Sequence, residues 1–276
     1  MPCFFLLAGL FALMAACQAP ESPSTPSTVR VALCQTEVDP DPEVNFPRIE
    51  QALAEARKQG AELAVFPETC LFGWVNPLAH QHADPIPGPT TDRLASLARK
   101  YQMMLAVGLA ERSGNKLFDS AVLLDSDGSL LLHHRKVNIL THLMDPPYAP
   151  GSGASQSVAE TRFGRIGMLI CADTFQEDLV GDMAANQPDL LLVPYGWAAP
   201  EQDWPQHGQN LHAWVSHTAK AVQAPVVGVD STGTLRFGPW TGYPLGGQSV
   251  VCDAAGRKLG VLADRKPEVR VFSIDL

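Results

Sequence analysis

An α/β fold is predicted from three features of the chain. Short β-branched and apolar runs recur along it. Between them lie stretches with apolar residues at helical spacing. In two places this alternation gives way to paired runs joined by tight-turn residues. Together they imply an α/β domain built on one mixed sheet or on two sheets.

The elements follow in order. Residues 29–34 form a β-branched strand, and residues 47–59 a helix with Ile49, Leu53 and Ala56 on one face. Residues 63–66 are a second apolar run ending at Pro67. Leu94, Leu97 and Tyr101 mark a second helix, and residues 105–109 a third strand. A turn at Ser113-Gly114-Asn115 leads to a strand at 121–124, and Asp127-Gly128 leads to 130–132, which reads as hairpins. The second half runs strand 166–170, helix 175–186, strand 190–193, helix 209–223 and strand 226–229. A final hairpin, 248–252 and 258–262, turns on residues 253–256, and 269–274 closes the chain. No internal repeat is visible in the sequence.

Composition excludes some classes. The 276 residues are 46% hydrophobic and 18% charged, which is enough apolar material for a sizeable core. The net charge is -9 with no Lys/Arg cluster, so no nucleic-acid partner is expected. Of the six cysteines, the four beyond residue 28, Cys34, Cys70, Cys171 and Cys252, are too sparse for a disulfide scaffold. Cys34, Cys70 and Cys252 are expected as buried free thiols.

The N-terminus reads differently. Residues 3–14 are uncharged, too short to span a membrane, and of signal-peptide length. Ala15-Ala16-Cys17 follows and resembles a bacterial lipobox, with cleavage before Cys17 and lipidation of its sulfur. Met14 stands where leucine is usual, and no Lys or Arg precedes the apolar run. The alternative is an apolar strand or helix of the fold. Residues 17–28 are rich in Ser, Pro and Thr and read as a solvated tether. The expected organisation is therefore a signal peptide at 1–16, a lipidated cysteine and tether at 17–28, and one folded domain at 29–276. By resemblance to Gram-negative lipoproteins, Gln18 after the cysteine implies export to the periplasmic face of the outer membrane, with membrane contact only through the lipid.

Three apolar runs end at residues capable of chemistry. Leu63-Ala64-Val65-Phe66-Pro67-Glu68 delivers a carboxylate, Leu131-Leu132-His133-His134-Arg135-Lys136 an amine, and Gly167-Met168-Leu169-Ile170-Cys171 a thiol. Strand ends are where α/β folds build sites. Each motif alone is more often surface or packing; the ordered set of three is specific.

These residues resemble the nitrilase, or carbon–nitrogen hydrolase, superfamily, from Val29 to the C-terminus. The matching segments are Phe66-Pro67-Glu68 with Phe72-Gly73-Trp74, Arg135-Lys136, and Ile170-Cys171-Ala172-Asp173 with Phe175 and Glu177. Val193-Pro194 with Trp197, and Gly247-Gln248-Ser249, match as well. The resemblance implies a four-layer α-β-β-α sandwich with two mixed sheets between helix layers. It also implies homodimers or larger homo-oligomers, paired through segments 175–183 and 209–223. In its chemistry Glu68 is general base and then acid, Cys171 is the nucleophile, and Lys136 favours the thiolate and stabilises the oxyanion with the Ala172 backbone N–H. A thioester forms and water releases the acid. No cofactor and no metal are needed.

Two departures bear on the substrate. The second family glutamate after the lysine is missing, and Asp145 is the nearest carboxylate; it either replaces that glutamate or decorates the loop before Pro146. Ala172-Asp173 after the cysteine resembles the amidase and carbamoylase branches more than the nitrile-cleaving one. The expected substrate is a small amide or N-carbamoyl compound, with Asp173 as an accessory group or loop buttress. Trp74, Tyr148, Tyr195 and Trp197 are candidates to line the pocket. Acyl transfer by the same triad, or an inactive lipid-anchored binding protein, are the competing readings. The histidines at 80, 82, 133, 134, 207, 212 and 217 show no i, i+4 pair and read as loop or surface residues.

Overall fold

The computed structural model describes residues 28–153 and 157–276. The leader, Cys17 and nearly all of the tether lie outside them.

The first sheet holds β1 (Thr28–Gln35), β2 (Leu63–Val65), β3 (Met104–Ser113), β4 (Lys116–Leu124) and β5 (Leu130–Arg135). The second holds β6 (Val158–Thr161), β7 (Gly164–Met168), β8 (Leu190–Tyr195), β9 (Val226–Asp230), β12 (Val250–Cys252) and β13 (Lys258–Val261). A two-stranded ribbon, β10 (Thr232–Thr234) and β11 (Pro244–Gly246), branches from it. The last strand, β14 (Glu268–Asp275), leaves the final hairpin and pairs antiparallel with β1, so the chain ends in the sheet where it began. The sheet orders are β14-β1-β2-β3-β4-β5 and β13-β12-β9-β8-β7-β6.

Both sheets share one plan that the sequence does not display. Three central strands run parallel, β1-β2-β3 in one and β7-β8-β9 in the other, and antiparallel strands flank them. Parallel strands require covered faces. Strand alternation supplies both coverings. In the first sheet Val31, Leu33, Leu63, Val65 and Leu123 point at the second sheet, against Met168, Leu192 and Val227. Ala32, Phe66, Leu105 and Val107 point outward onto Phe46, Ile49 and Leu53 of α1 (Pro42–Lys58) and Leu94 of α3 (Pro89–Tyr101). Leu211 and Val215 of α5 (Gln206–Val222) cover the second sheet beside α4 (Glu177–Ala185). A short α2 (Ala79–His82) completes the helices.

Boundaries differ from expectation for local reasons. α1 starts five residues early, at Pro42, because Asp41 caps it by accepting from the Glu43 N–H at 2.9 Å. Pro47 sits inside the helix and forfeits one backbone bond, which the buried face offsets. α4 starts late because residues Cys171–Phe175 form a 3-10 turn. β4 starts at Lys116, well before residue 121, which brings Asp119 into the sheet.

The sheet seam fixes the approach to Glu68. The Pro67–Thr69 backbone lies directly on Gly108 of β3: a Cβ there would stand 2.4 Å from the Pro67 carbonyl and 2.6 Å from Glu68 Cα. The Cys70 N–H donates to the Gly108 carbonyl at 3.0 Å, and the Glu68 N–H to Tyr195 of the other sheet at 3.2 Å. Gly108→Ala is therefore expected to destabilise the fold by about 1–3 kcal/mol and to displace Glu68. Thermal melts and turnover measured on that variant should fall together; a stable, fully active protein would refute the close packing.

Candidate active site

Glu68, Lys136 and Cys171 converge in the seam between the sheets, each at most 4% exposed. Lys136 follows β5 directly. Glu68 and Cys171 each stand three residues beyond their strand ends at Val65 and Met168. Lys136 Nζ donates to Glu68 Oε1, and its ammonium lies 5.5 Å from the Trp74 ring centroid.

Cys171 opens the 3-10 turn with φ of 44°, a left-handed conformation that costs a non-glycine residue of order 1–3 kcal/mol. The surroundings hold it there. Asp173, two residues on, is fully buried and accepts four hydrogen bonds. They come from Val137 N–H at 2.9 Å, Asn138 N–H at 2.8 Å, Ile170 N–H at 3.1 Å and His134 Nε2 at 2.8 Å. The other ring nitrogen of His134 pairs with the Ser157 hydroxyl at 2.6 Å. Asn138 Nδ2 donates to the Ala172 carbonyl at 2.7 Å, and the Thr174 hydroxyl to the Cys171 carbonyl at 2.8 Å. Asp173 thus buttresses the cysteine turn against the segment that carries Lys136. His134 belongs to this buried network and is not a surface histidine; alternation along β5 turns it inward. His212 is buried as well, its Nε2 2.9 Å from the Gln248 carbonyl.

Charge states follow from burial and neighbours. Burial alone would lower Lys136, but Glu68, Cys171 and Asp119 raise it well above its ordinary value, so it stays a cation. Burial, then the Glu68 carboxylate, hold the Cys171 thiol well above its usual value, against the pull of Lys136 and the Gly196 N–H. Lys136 favours the thiolate, as expected, but burial and Glu68 outweigh it, which leaves Glu68, the expected general base, to take the proton. Burial also raises Cys70 to about 12 and Cys252 to about 11, and Cys34 rises likewise. All three are buried free thiols.

Asp119 is the residue that sequence reading missed. It is buried in β4, its Oδ2 lies 3.5 Å from Lys136 Nζ, and its backbone carbonyl accepts the Lys136 N–H at 2.8 Å. The available signal was parity: Asp119 shares the alternation of Ala121 and Leu123, which face the second sheet. Asp145, read as either a replacement for the second glutamate or a loop residue, is exposed in the loop beyond the 3-10 turn Thr141–Leu143.

The aromatic candidates separate into two pairs. Trp74 and Tyr148 line a cavity of about 10 Å³ with Asp119, Lys136, Leu140 and Met144, room for about one water. Val75, Met144 and Pro147 connect it to a wider cavity of about 510 Å³, where Asp145 lies. Tyr195 and Trp197 do not line this space. Tyr195 is fully buried, its hydroxyl 3.2 Å from that of Thr174. The Trp197 backbone N–H donates to Asp230 Oδ1 at 2.7 Å, and its ring lines a groove beside α4 and α5. No cluster suited to a metal occurs among the described residues.

The sequence profile described as Carbon-nitrogen hydrolase matches residues 30–276. The chain belongs to the carbon–nitrogen hydrolase family. It is 32% identical over 217 residues to an aliphatic nitrilase from Rhodococcus rhodochrous, covering 72% of this chain and 52% of that protein. It is 34% identical over 194 residues to a bifunctional nitrilase/nitrile hydratase from Nicotiana tabacum, covering 63% of this chain and 55% of that one. The chain spans about half the length of these curated relatives. Its fold is similar to an amidase of the nitrilase superfamily from Nesterenkonia AN1, with a TM-score of 0.75 and 27% identity over 92% of this chain and 93% of that chain. A variant of that amidase shows covalent addition of the acetamide moiety of fluoroacetamide at its active-site cysteine.

The Asp173 hub generates a pH-linked prediction. Burial raises its carboxyl, but the His134 hydrogen bond and charge and the Asn138 N–H outweigh this and hold it below the usual carboxylate range. A depressed folded value stabilises the protein above the unfolded value of about 3.9, and that contribution is lost as pH falls through the folded one. Asp173→Asn is expected to cost about 2–4 kcal/mol at neutral pH, with the gap from the parent shrinking below about pH 4. Denaturant unfolding at several pH values measures it. A gap independent of pH would show that the charge of Asp173 is not what holds the turn.

Proposed function

We propose that this protein hydrolyses the carbon–nitrogen bond of a small amide or N-carbamoyl compound through a thioester on Cys171. The observation that carries this reading is the buried Glu68–Lys136 ion pair beside a cysteine held in a left-handed turn. Glu68 takes the thiol proton as sulfur attacks the carbonyl carbon. The oxyanion forms against Lys136 and the Ala172 N–H, which lies in the first turn of its 3-10 segment, where N–H groups lack helical partners. Glu68 returns the proton to nitrogen as the carbon–nitrogen bond breaks. It then takes a proton from water, which attacks the thioester, and the restored thiol completes the cycle. Trp74 and Tyr148, at the inner cavity beside Lys136, favour a small substrate. The similarity to an amidase over almost the whole chain supports amides; the partial similarity to nitrilases makes nitriles the alternative. A screen of small primary amides, N-carbamoyl amino acids and nitriles distinguishes them.

Cys171→Ala is expected to abolish turnover while leaving stability within about 1–2 kcal/mol of the parent. Glu68→Gln is expected to slow turnover about 10²–10⁴-fold. Activity that survives Cys171→Ala would sink the thioester route.

We also propose that the enzyme is exported, anchored through lipid on Cys17, and paired as a homodimer through α4 and α5. The signal-like leader supports the first two. An aromatic groove supports the third: the Phe175 and Trp214 rings meet there, tilted by 40° with centroids 4.9 Å apart, beside Trp197. The intact protein is expected to partition into detergent and Cys17→Ser into water, where light scattering should give twice the chain mass. Equal partitioning, or a single-chain mass, would refute the corresponding statement.

A further inference from the structure

Asp119 has no task in the chemistry above, yet it stands at its centre. It is 1% exposed, and neither carboxylate oxygen has a hydrogen-bond partner among the described residues. The second oxygen of Glu68 is likewise without one. Lys136 is committed to Glu68, and its 3.5 Å separation from Asp119 is too long for a good hydrogen bond. With both carboxylates ionised, one ammonium would face two buried negative charges. That excess is costly to bury and would oppose both the thiolate and the oxyanion. A single proton between the acids removes the excess and pairs one orphaned oxygen on each.

We propose that Asp119 works as a neutral carboxylic acid, a positioning residue that donates a hydrogen bond to Glu68 and leaves Glu68 and Lys136 as a balanced ion pair around Cys171. The inference deepens the hydrolytic reading and rests on it. The groups facing Asp119 are Glu68 from the loop after β2, Lys136 after β5, Tyr148 from the loop before Ala149, and Asp173 from the cysteine turn. Burial and then Glu68 hold its carboxyl well above the usual carboxylate range, with Lys136 pulling the other way. Asp119 keeps its proton through the cycle. Glu68 alone moves one, from sulfur to nitrogen in the first half and from water to sulfur in the second. Alkaline pH that ionises Asp119 adds a negative charge beside the thiol, makes it harder to deprotonate, and shuts the enzyme down.

Asp119→Asn replaces the neutral acid by a neutral isostere that cannot ionise. In the full chain the alkaline limb of the kcat/KM pH profile is expected to move up by about one unit or more. Thermal unfolding gives a second readout that needs no substrate. A raised folded value means the native state keeps a proton that the unfolded chain releases above about pH 3.9, so the parent loses stability as pH rises toward the folded value. The variant lacks that loss, so its Tm advantage should widen with pH. A loss of about 100-fold at neutral pH with the fold intact would overturn the proposal. So would superimposable pH profiles, a Tm difference independent of pH, or a variant that does not fold. Absence of turnover on any amide would count against the hydrolytic reading alone, because the melting experiment still decides the state of Asp119.

Discussion

A lysine ammonium buried between two carboxyl groups, in the seam of two β-sheets, is the constraint on which the rest of this structure depends. Taking Lys136 and Glu68 out of water is expensive, and removing one partner of such a pair typically costs about 3–5 kcal/mol. The surroundings therefore hold both in register. Glu68 is tied through its backbone N–H to Tyr195 of the second sheet and packed over Gly108 of the first. Lys136 is tied through its backbone N–H to Asp119 on β4. The ion pair is as much a consequence of the two sheets meeting as a feature of either.

The cysteine turn obeys a related logic. A left-handed Cys171 is unfavourable in isolation and persists because its neighbours are over-determined. Asp173 gathers backbone donors from both sides of the seam, and His134 with Ser157 backs it from behind. A protonated resting thiol suits this design, since its deprotonation is coupled to Glu68 and so to bound substrate.

Much of this was legible in advance. The helical faces of α1 and α3 and the apolar runs of β1, β2, β8 and β9 follow from side-chain periodicity, which is local. The buried free state of Cys34, Cys70 and Cys252 followed from their sparseness. Less legible were elements whose partners lie far off in sequence. β14 reads as a strand but gives no sign that it returns to β1, because pairing between ends of a chain has no local signature. Asp119 was passed over because its segment resembles a polar lead-in to a strand; only its place opposite Lys136 gives its carboxylate meaning. His134 looked like a surface histidine for the same reason.

The sequence by itself determined which residue types could do chemistry and in what order they arrive. Glu68, Lys136 and Cys171 each come just after an apolar run, and that pattern is written in nearest neighbours. The tertiary structure decided which of them touch and which carboxyl group joins them. Those properties depend on burial and on distances across the two-sheet seam, and no stretch of consecutive residues encodes either.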